Sequence, residues 1–135
     1  MEDCLFCKII KGKISSSKIY EDDKVLAFLD IAPVNLGHAL IISKEHSKDL
    51  FDTSDSTLGD FFPKVKKVAA AVKKATNADG INLEMNNGKA AGQIIFHAHM
   101  HIMPRFSGDG LKPWPQKQYN EGEMEMTAES IRKAL

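Results

Sequence analysis

Residues 97 to 101 read His-Ala-His-Met-His, which places three of the chain's five histidines at alternate positions. On an extended strand, residues two apart point to the same face. His97, His99 and His101 would then share one face, and Ala98, Met100 and Ile102 the apolar other. A helix would rotate neighbouring members of the triplet by about 200° and scatter them. Imidazole is largely neutral near pH 7, so one ring can offer a lone pair to an electrophilic phosphorus. Such an attack gives a covalent phosphoryl-histidine and splits one hard displacement into two easier ones. Flanking rings can donate to phosphoryl oxygens or protonate a leaving group. The same trio could instead hold zinc with a coordination position open for water. Spacing alone leaves both chemistries open.

A second reactive pattern is Cys4-Leu5-Phe6-Cys7. Two cysteines at this spacing are half of a tetrahedral zinc site. A thioredoxin-like redox pair needs a strand before it and a helix opening after it, and only three residues precede Cys4. Zinc, redox chemistry and no special role are the three readings of the pair. A structural disulfide does not suit the reducing compartment expected below.

The elements that must position these groups are legible in outline. Ser15 to Ser17 mark a turn. Ile19–Tyr20, Val25–Leu29 and His38–Ser43 read as strands with short connections, which favours antiparallel pairing. Pro33 and Gly37 punctuate the loop before the third strand. From about Ser56 to Thr76, Phe61, Val65, Val68 and Val72 build an apolar helical stripe, with Lys66, Lys67, Lys73 and Lys74 off it. Pro63 is expected to kink that helix or to start a new segment. Asn77 to Gly80 closes it. Ile81–Met85 and Phe96–Met103 read as strands four and five, the last ended by Pro104, with a glycine-bearing loop at 86–93 between them. Residues 107–123 look irregular. Thr127 is expected to cap a short final helix to Leu135. The fold class is α+β: a five-stranded antiparallel sheet with one long helix and short terminal helices.

With 135 residues the chain fits one domain over 1–135, with a core at 4–106 and a tail at 107–135. Lys plus Arg and Asp plus Glu are 18 each. That balance gives no electrostatic reason to expect duplex nucleic acid or an anionic membrane surface as partner. No run of apolar residues is long enough to span a bilayer, and the acidic start lacks a leader pattern, so a cytoplasmic protein is expected.

The alternating triplet, preceded by Gly92-Gln93 and followed by Pro104-Arg105, resembles the histidine-triad (HIT) nucleotide-binding family. Cys4 to Ile10, Tyr20-Glu21-Asp22-Asp23, Phe28-Leu29-Asp30-Ile31 and Gly37-His38 through His46 resemble further blocks of that family, in the same order. The likeness covers residues 4 to about 106 and is nearest the Hint-type branch. It implies a nucleoside monophosphoryl hydrolase or transferase acting on adenosine phosphoramidates and aminoacyl adenylates. Dinucleoside polyphosphate hydrolysis, or a nucleotide-binding interaction module with weak catalysis, are the alternatives.

Carried onto matching positions, the resemblance makes His99 the nucleophile, with its other ring nitrogen donating to a backbone carbonyl. His101 would contact phosphate and assist the leaving group, and His38 would complete the catalytic set. Asp30 would accept from ribose hydroxyls, with Phe28 and Ile31 near the base, and Asn86 and Gln93 would touch phosphate or leaving group. Plainer roles compete: a turn at Asp30 or Asn86, a solvent-facing loop at Gln93, core packing at Phe28 and Ile31. The resemblance also assembles Cys4, Cys7, His46 and His97 as a closed structural Zn2+ site. It implies a homodimer whose C-terminal segment, near Trp114, reaches the partner's site, and a purine nucleotide ligand such as an AMP or GMP derivative. Many family members carry Ser or Thr after the glutamine; here that position is Ile94, which lacks the hydroxyl.

Overall fold

The computed structural model describes residues 3–135, so the first two residues of the acidic start lie outside it. Five strands form one antiparallel sheet in the order β1-β2-β3-β5-β4. They are β1 (Lys18–Glu21), β2 (Val25–Leu29), β3 (Ala39–Ser43), β4 (Gly80–Glu84) and β5 (His99–Arg105). Three α-helices, α1 (Leu5–Ile10), α2 (Asp55–Thr76) and α3 (Glu123–Ala134), and a single 3-10 turn at Lys89–Ala91 complete the order among the described residues. No helix among the described residues is long and apolar enough to cross a membrane.

Register decides which side chains share a face. Ile41 lies opposite Ala27 and Met100, and Ala39 opposite Ile102. These residues, with Val25, pack against the Phe61, Val65, Val68 and Val72 stripe of α2. The other face carries Leu26, Phe28, Leu40 and Ile42, covered by Phe6 and Ile9 of α1. Ile42 and Leu40 pair with His99 and His101, so both histidines stand on that second face, beside α1.

The strand carrying the histidines differs from the expected Phe96–Met103. It begins at His99, after a bend that holds His97, and continues through Pro104 to Arg105. Pro104 is tolerated because its carbonyl, and hence the side where its missing N–H would lie, faces away from β4. That carbonyl accepts from Asn35 Nδ2 at 2.8 Å, while the next carbonyl, of Arg105, accepts from Asp79 N–H of the β4 side at 2.9 Å.

Helix α2 runs as one helix through Pro63, in place of the expected restart. The carbonyl that Pro63 cannot satisfy belongs to Gly59. Both residues are exposed, so water can take that bond. Ser54 caps the start by accepting from Thr57 N–H at 3.1 Å. Asn77, at φ 55°, closes the end as a Schellman motif, with Ala78 N–H donating to Lys73 O and Asn77 N–H to Lys74 O. Thr127 is not a cap. It sits inside α3, its hydroxyl donating back to Glu123 O at 2.7 Å, and Gly122 takes the N-cap.

Two contacts fix the loop before β3. Gly37 has φ +100°, and a Cβ there would meet Thr76 Cγ2 at 2.5 Å, so only glycine fits. Asn35 also donates to Asp109 Oδ2 at 3.1 Å. Asp109 is bound by Arg105 through two nitrogens at 2.8 and 3.0 Å, which hold its carboxyl far below the usual carboxylate range. The loop carrying residues 33–37 is thereby clipped to the end of β5.

Candidate active site

Strands β2, β3 and β5 bring Phe28, Leu40, His99 and His101 to one floor, and α1 stands over it. Between them lies a cleft of about 350 Å³, closed at one side by Leu5, Phe6 and Ile9 and by the 14–16 segment. Phe6 packs edge-to-face on His99, with ring centroids 5.1 Å apart and planes at 86°, and on Phe28 at 5.6 Å.

The hydrogen bonds assign the tautomers. His99 Nδ1 lies 2.7 Å from the carbonyl of His97, which only accepts, so Nδ1 carries the proton and Nε2 keeps its lone pair. Val34 N–H donates to His38 Nδ1 at 3.1 Å, so His38 carries its proton on Nε2. That Nε2–H donates to His101 Nδ1 at 2.9 Å, so neutral His101 is protonated on Nε2. Backbone geometry thus dictates a directional chain, Val34 to His38 to His101, whose last N–H is free to donate. Burial pushes His38, His97, His99 and His101 below the ordinary histidine value of 6.5, which favours these neutral forms.

Asp30, His38 and His101 also bring ligand-type atoms within 4.8 Å of one another. A metal on His38 Nε2 would require a proton on Nδ1, against the Val34 N–H that already points there. The trio reads as a hydrogen-bond relay beside a carboxylate, with Asp30 Oδ2 3.6 Å from His38 Nε2.

His97 faces elsewhere. Its Nε2–H donates to Ser43 O at 2.7 Å, and its Nδ1 stands 3.6 Å from both Cys4 Sγ and Cys7 Sγ and 3.2 Å from His46 Nδ1. Cys7 Sγ to His46 Nδ1 is 3.3 Å. On a zinc tetrahedron with Zn–S of about 2.3 Å and Zn–N of about 2.0–2.1 Å, ligand atoms stand about 3.3–3.8 Å apart. The four residues therefore fit such an ion, and the Ser43 carbonyl supplies the outer contact that orients a ligating histidine. Burial raises the Cys7 thiol, so a thiolate at that position calls for a cation.

The three triplet histidines thus turn to three partners: a sulfur cluster, a backbone carbonyl and a second histidine. Of the other expected site residues, Phe28, Asp30 and Ile31 line the cleft. Asp30 also makes the plainer turn, its Oδ1 accepting from Ala32 N–H at 2.8 Å. Asn86 and Gln93 are not among the residues that line the cleft. Gly92 is, and a Cβ there would come within 3.6 Å of the Asn86 amide. Gln93 is 3% exposed and is spent on backbone: Oε1 accepts from Gly88 N–H, and Nε2 donates to the carbonyls of Lys48 and Ile95. It clamps the loop that leads to the triplet. Sequence reasoning did not assign Leu5, Phe6, Ile9, Ile14 and Ser16 to the wall, nor the Val34 N–H. The apolar spacing of Leu5-Phe6 and Ile9-Ile10 within the cysteine block was the available signal for the first three; a backbone donor leaves none.

With this geometry in place, comparison with known proteins is consistent. Residues 11–108 match the HIT domain family. The Bacillus subtilis protein named Protein hit is 43% identical over 138 residues, spanning 99% of this chain and 95% of that one. The adenosine 5'-monophosphoramidase hnt1 of Schizosaccharomyces pombe is 42% identical, spanning 95% of each. A crystal structure from Streptococcus mutans superposes with a TM-score of 0.93 at 44% identity, covering 99% of this chain and 86% of that one. A zinc-bound histidine triad family protein from Mycobacterium smegmatis gives 0.78 at 35% identity, over 99% of both. By its sequence and its architecture, the chain belongs to the HIT domain family.

Proposed function

We propose that this protein hydrolyses nucleoside 5'-monophosphate derivatives, adenosine phosphoramidates and aminoacyl adenylates in particular, through a nucleotidyl intermediate on His99. One observation carries the reading. Of His38, His97, His99 and His101, only His99 keeps an uncommitted ring lone pair, and that ring lines the cleft. Its Nε2 attacks phosphorus, the bond from phosphorus to the leaving atom breaks, and its electron pair departs with the leaving group. The resulting imidazolium keeps Nδ1–H on the His97 carbonyl, which holds the ring while water attacks in the second step. His101 donates its Nε2–H to a phosphoryl oxygen or the departing atom, and His38 fixes it for that role. The second carboxylate oxygen of Asp30 is available to ribose hydroxyls, and Phe28 and Ile31 flank the base. Ile94, 84% exposed at the rim, presents an apolar side chain to the leaving group. Zinc held by Cys4, Cys7, His46 and His97 is structural in this reading: a closed set of four ligands leaves no position for substrate.

The test is turnover of three compounds: an adenosine phosphoramidate, an aminoacyl adenylate and diadenosine tetraphosphate. The first two are expected to be fast and the third slow. Turnover of the tetraphosphate alone would select the polyphosphate reading. AMP binding with no turnover of any would select the binding module. A homodimer is part of the proposal. It is supported by α3, which buries no residue of its own, and by Trp114, 78% exposed beside Glu84, Met103 and Arg105. Sedimentation showing only monomers at micromolar concentration would remove it.

The relay also fixes a pH dependence. Burial depresses His38 and His101 below 6.5, so the working neutral forms persist to lower pH than ordinary histidines would allow. kcat/KM should stay level from pH 8 to about 6.5 and fall only below that. Stability follows the same sign. The unfolded chain takes up these protons first, so folding free energy is full above about 6.5 and is lost as pH drops toward the folded-state values. A profile that falls on the alkaline side of 7 would contradict the neutral relay.

A further inference from the structure

Among the described residues, one buried side-chain polar atom lacks a hydrogen-bond partner: Ser16 Oγ. Ser16 is also a wall residue of the cleft. Buried hydroxyls are seldom left unmatched, because losing water without a replacement is costly. Leu29 N–H donates to Ser17 O at 3.0 Å and Lys18 pairs with Phe28, so extending that register sets Ser16 alongside Asp30. The wall around it is apolar: Leu5, Phe6, Ile9, Ile14 and Phe28 offer a base a surface to pack on, but no hydrogen bond for its edge.

From this conjunction we infer that Ser16 is the group that reads the base, its hydroxyl hydrogen-bonding a heteroatom on the purine edge. The inference rests on the nucleotide reading above. A base entering the slot strips water from its ring nitrogens and exocyclic group, and each one left unmatched weakens binding. Ser16 supplies the partner and gains one for itself. The residue lines the cleft and is partly exposed although its oxygen is not, so in this reading the hydroxyl turns about χ1 to meet the base. A hydroxyl both donates and accepts. It therefore serves the adenine amino group and the guanine carbonyl alike, so the contact does not choose between those two purines.

The test compares wild type, Ser16→Ala and Ser16→Thr by calorimetric titration with AMP, GMP and ribose 5-phosphate, and by thermal unfolding of the free proteins. Ser16→Ala is expected to weaken AMP and GMP about three- to tenfold. It should leave ribose 5-phosphate unchanged, and Ser16→Thr should recover part of the loss. The Tm of free Ser16→Ala should be equal to or above wild type, because the substitution deletes an unmatched buried hydroxyl. An unchanged AMP affinity would overturn the inference. So would an equal loss for ribose 5-phosphate, which would assign the hydroxyl to the sugar, or a fall in the free Tm, which would assign it to the fold. Wild type that binds neither nucleotide would defeat the nucleotide reading itself.

Discussion

Replacing His99 with glycine is expected to lower turnover of an adenosine phosphoramidate by about 10⁴- to 10⁶-fold, the scale seen when a covalent nucleophile is removed. AMP affinity should change by less than about tenfold, because burial of the base and hydrogen bonds to ribose are untouched. The split follows from the tautomers. His97 has committed both ring nitrogens, His38 likewise, and His101 presents a proton where a nucleophile needs a lone pair. No neighbour can take over. His101→Ala, which removes a donor and leaves the nucleophile, should cost less, about 10²- to 10⁴-fold. Added imidazole should restore part of the glycine variant's rate by filling the hole with a free ring. Quenching wild type during turnover should trap a protein heavier by one nucleotidyl group, and the glycine variant should show none. Wild-type rates in the glycine variant would defeat the assignment, and so would a nucleotidyl adduct on any other residue.

The sequence carried the sheet well because the apolar pattern of β2, β3 and β5 and the stripe of α2 are set by burial, which dominates folding energetics. It carried the placement of His99 and His101 because alternation on a strand survives in the structure for both. It was incomplete at His97. The ring stays on the α1 side, 6.0 Å from Phe6, but the strand begins only at His99, and beyond its end the first imidazole meets Cys4, Cys7 and His46 and not the cleft. Only the resemblance to a family, and not the spacing, pointed to that outcome. Pro63 does not split its helix and Pro104 does not end its strand, for a shared reason. Each removes one N–H, and what that costs depends on what faced it: solvent at Pro63, and at Pro104 the side of the strand away from β4. Gln93 shows the opposite limit. Its type suits a ligand contact, yet three backbone partners consume it, and no local feature of the sequence announces partners 5 and 45 residues away.

The positions of the metal-type cluster and of His99 are linked through two short paths. The His97 side chain enters the cluster, while its backbone carbonyl fixes His99 at 2.7 Å. Cys4 and Cys7 bracket Phe6, whose ring packs on His99 and walls the cleft. A group that holds Cys4, Cys7 and His97 together therefore holds the cleft wall and the anchor of His99 as well, without entering the cleft.

Removing the ion should accordingly cost stability first and activity as a consequence. Purified protein never exposed to chelator is expected to carry about one zinc per chain. Stripping it, or substituting Cys7→Ser, leaves a fully buried His97 and a buried thiol or hydroxyl without their common partner. The expected loss is about 3–5 kcal/mol, on the order of 15 °C in Tm for a domain of this size. The rest of the sheet and α2 form their own core, so the apo protein should stay folded at low temperature, with the N-terminal segment newly open to protease. Affinity for AMP should weaken in step with that opening, because Leu5 and Phe6 leave the cleft. The order of events separates this from zinc acting on substrate. If chelator abolished turnover while Tm, protease resistance and AMP affinity all held, the ion would be at the reacting centre and the closed-site reading would fail. Metal analysis finding no zinc in untreated protein would remove it altogether.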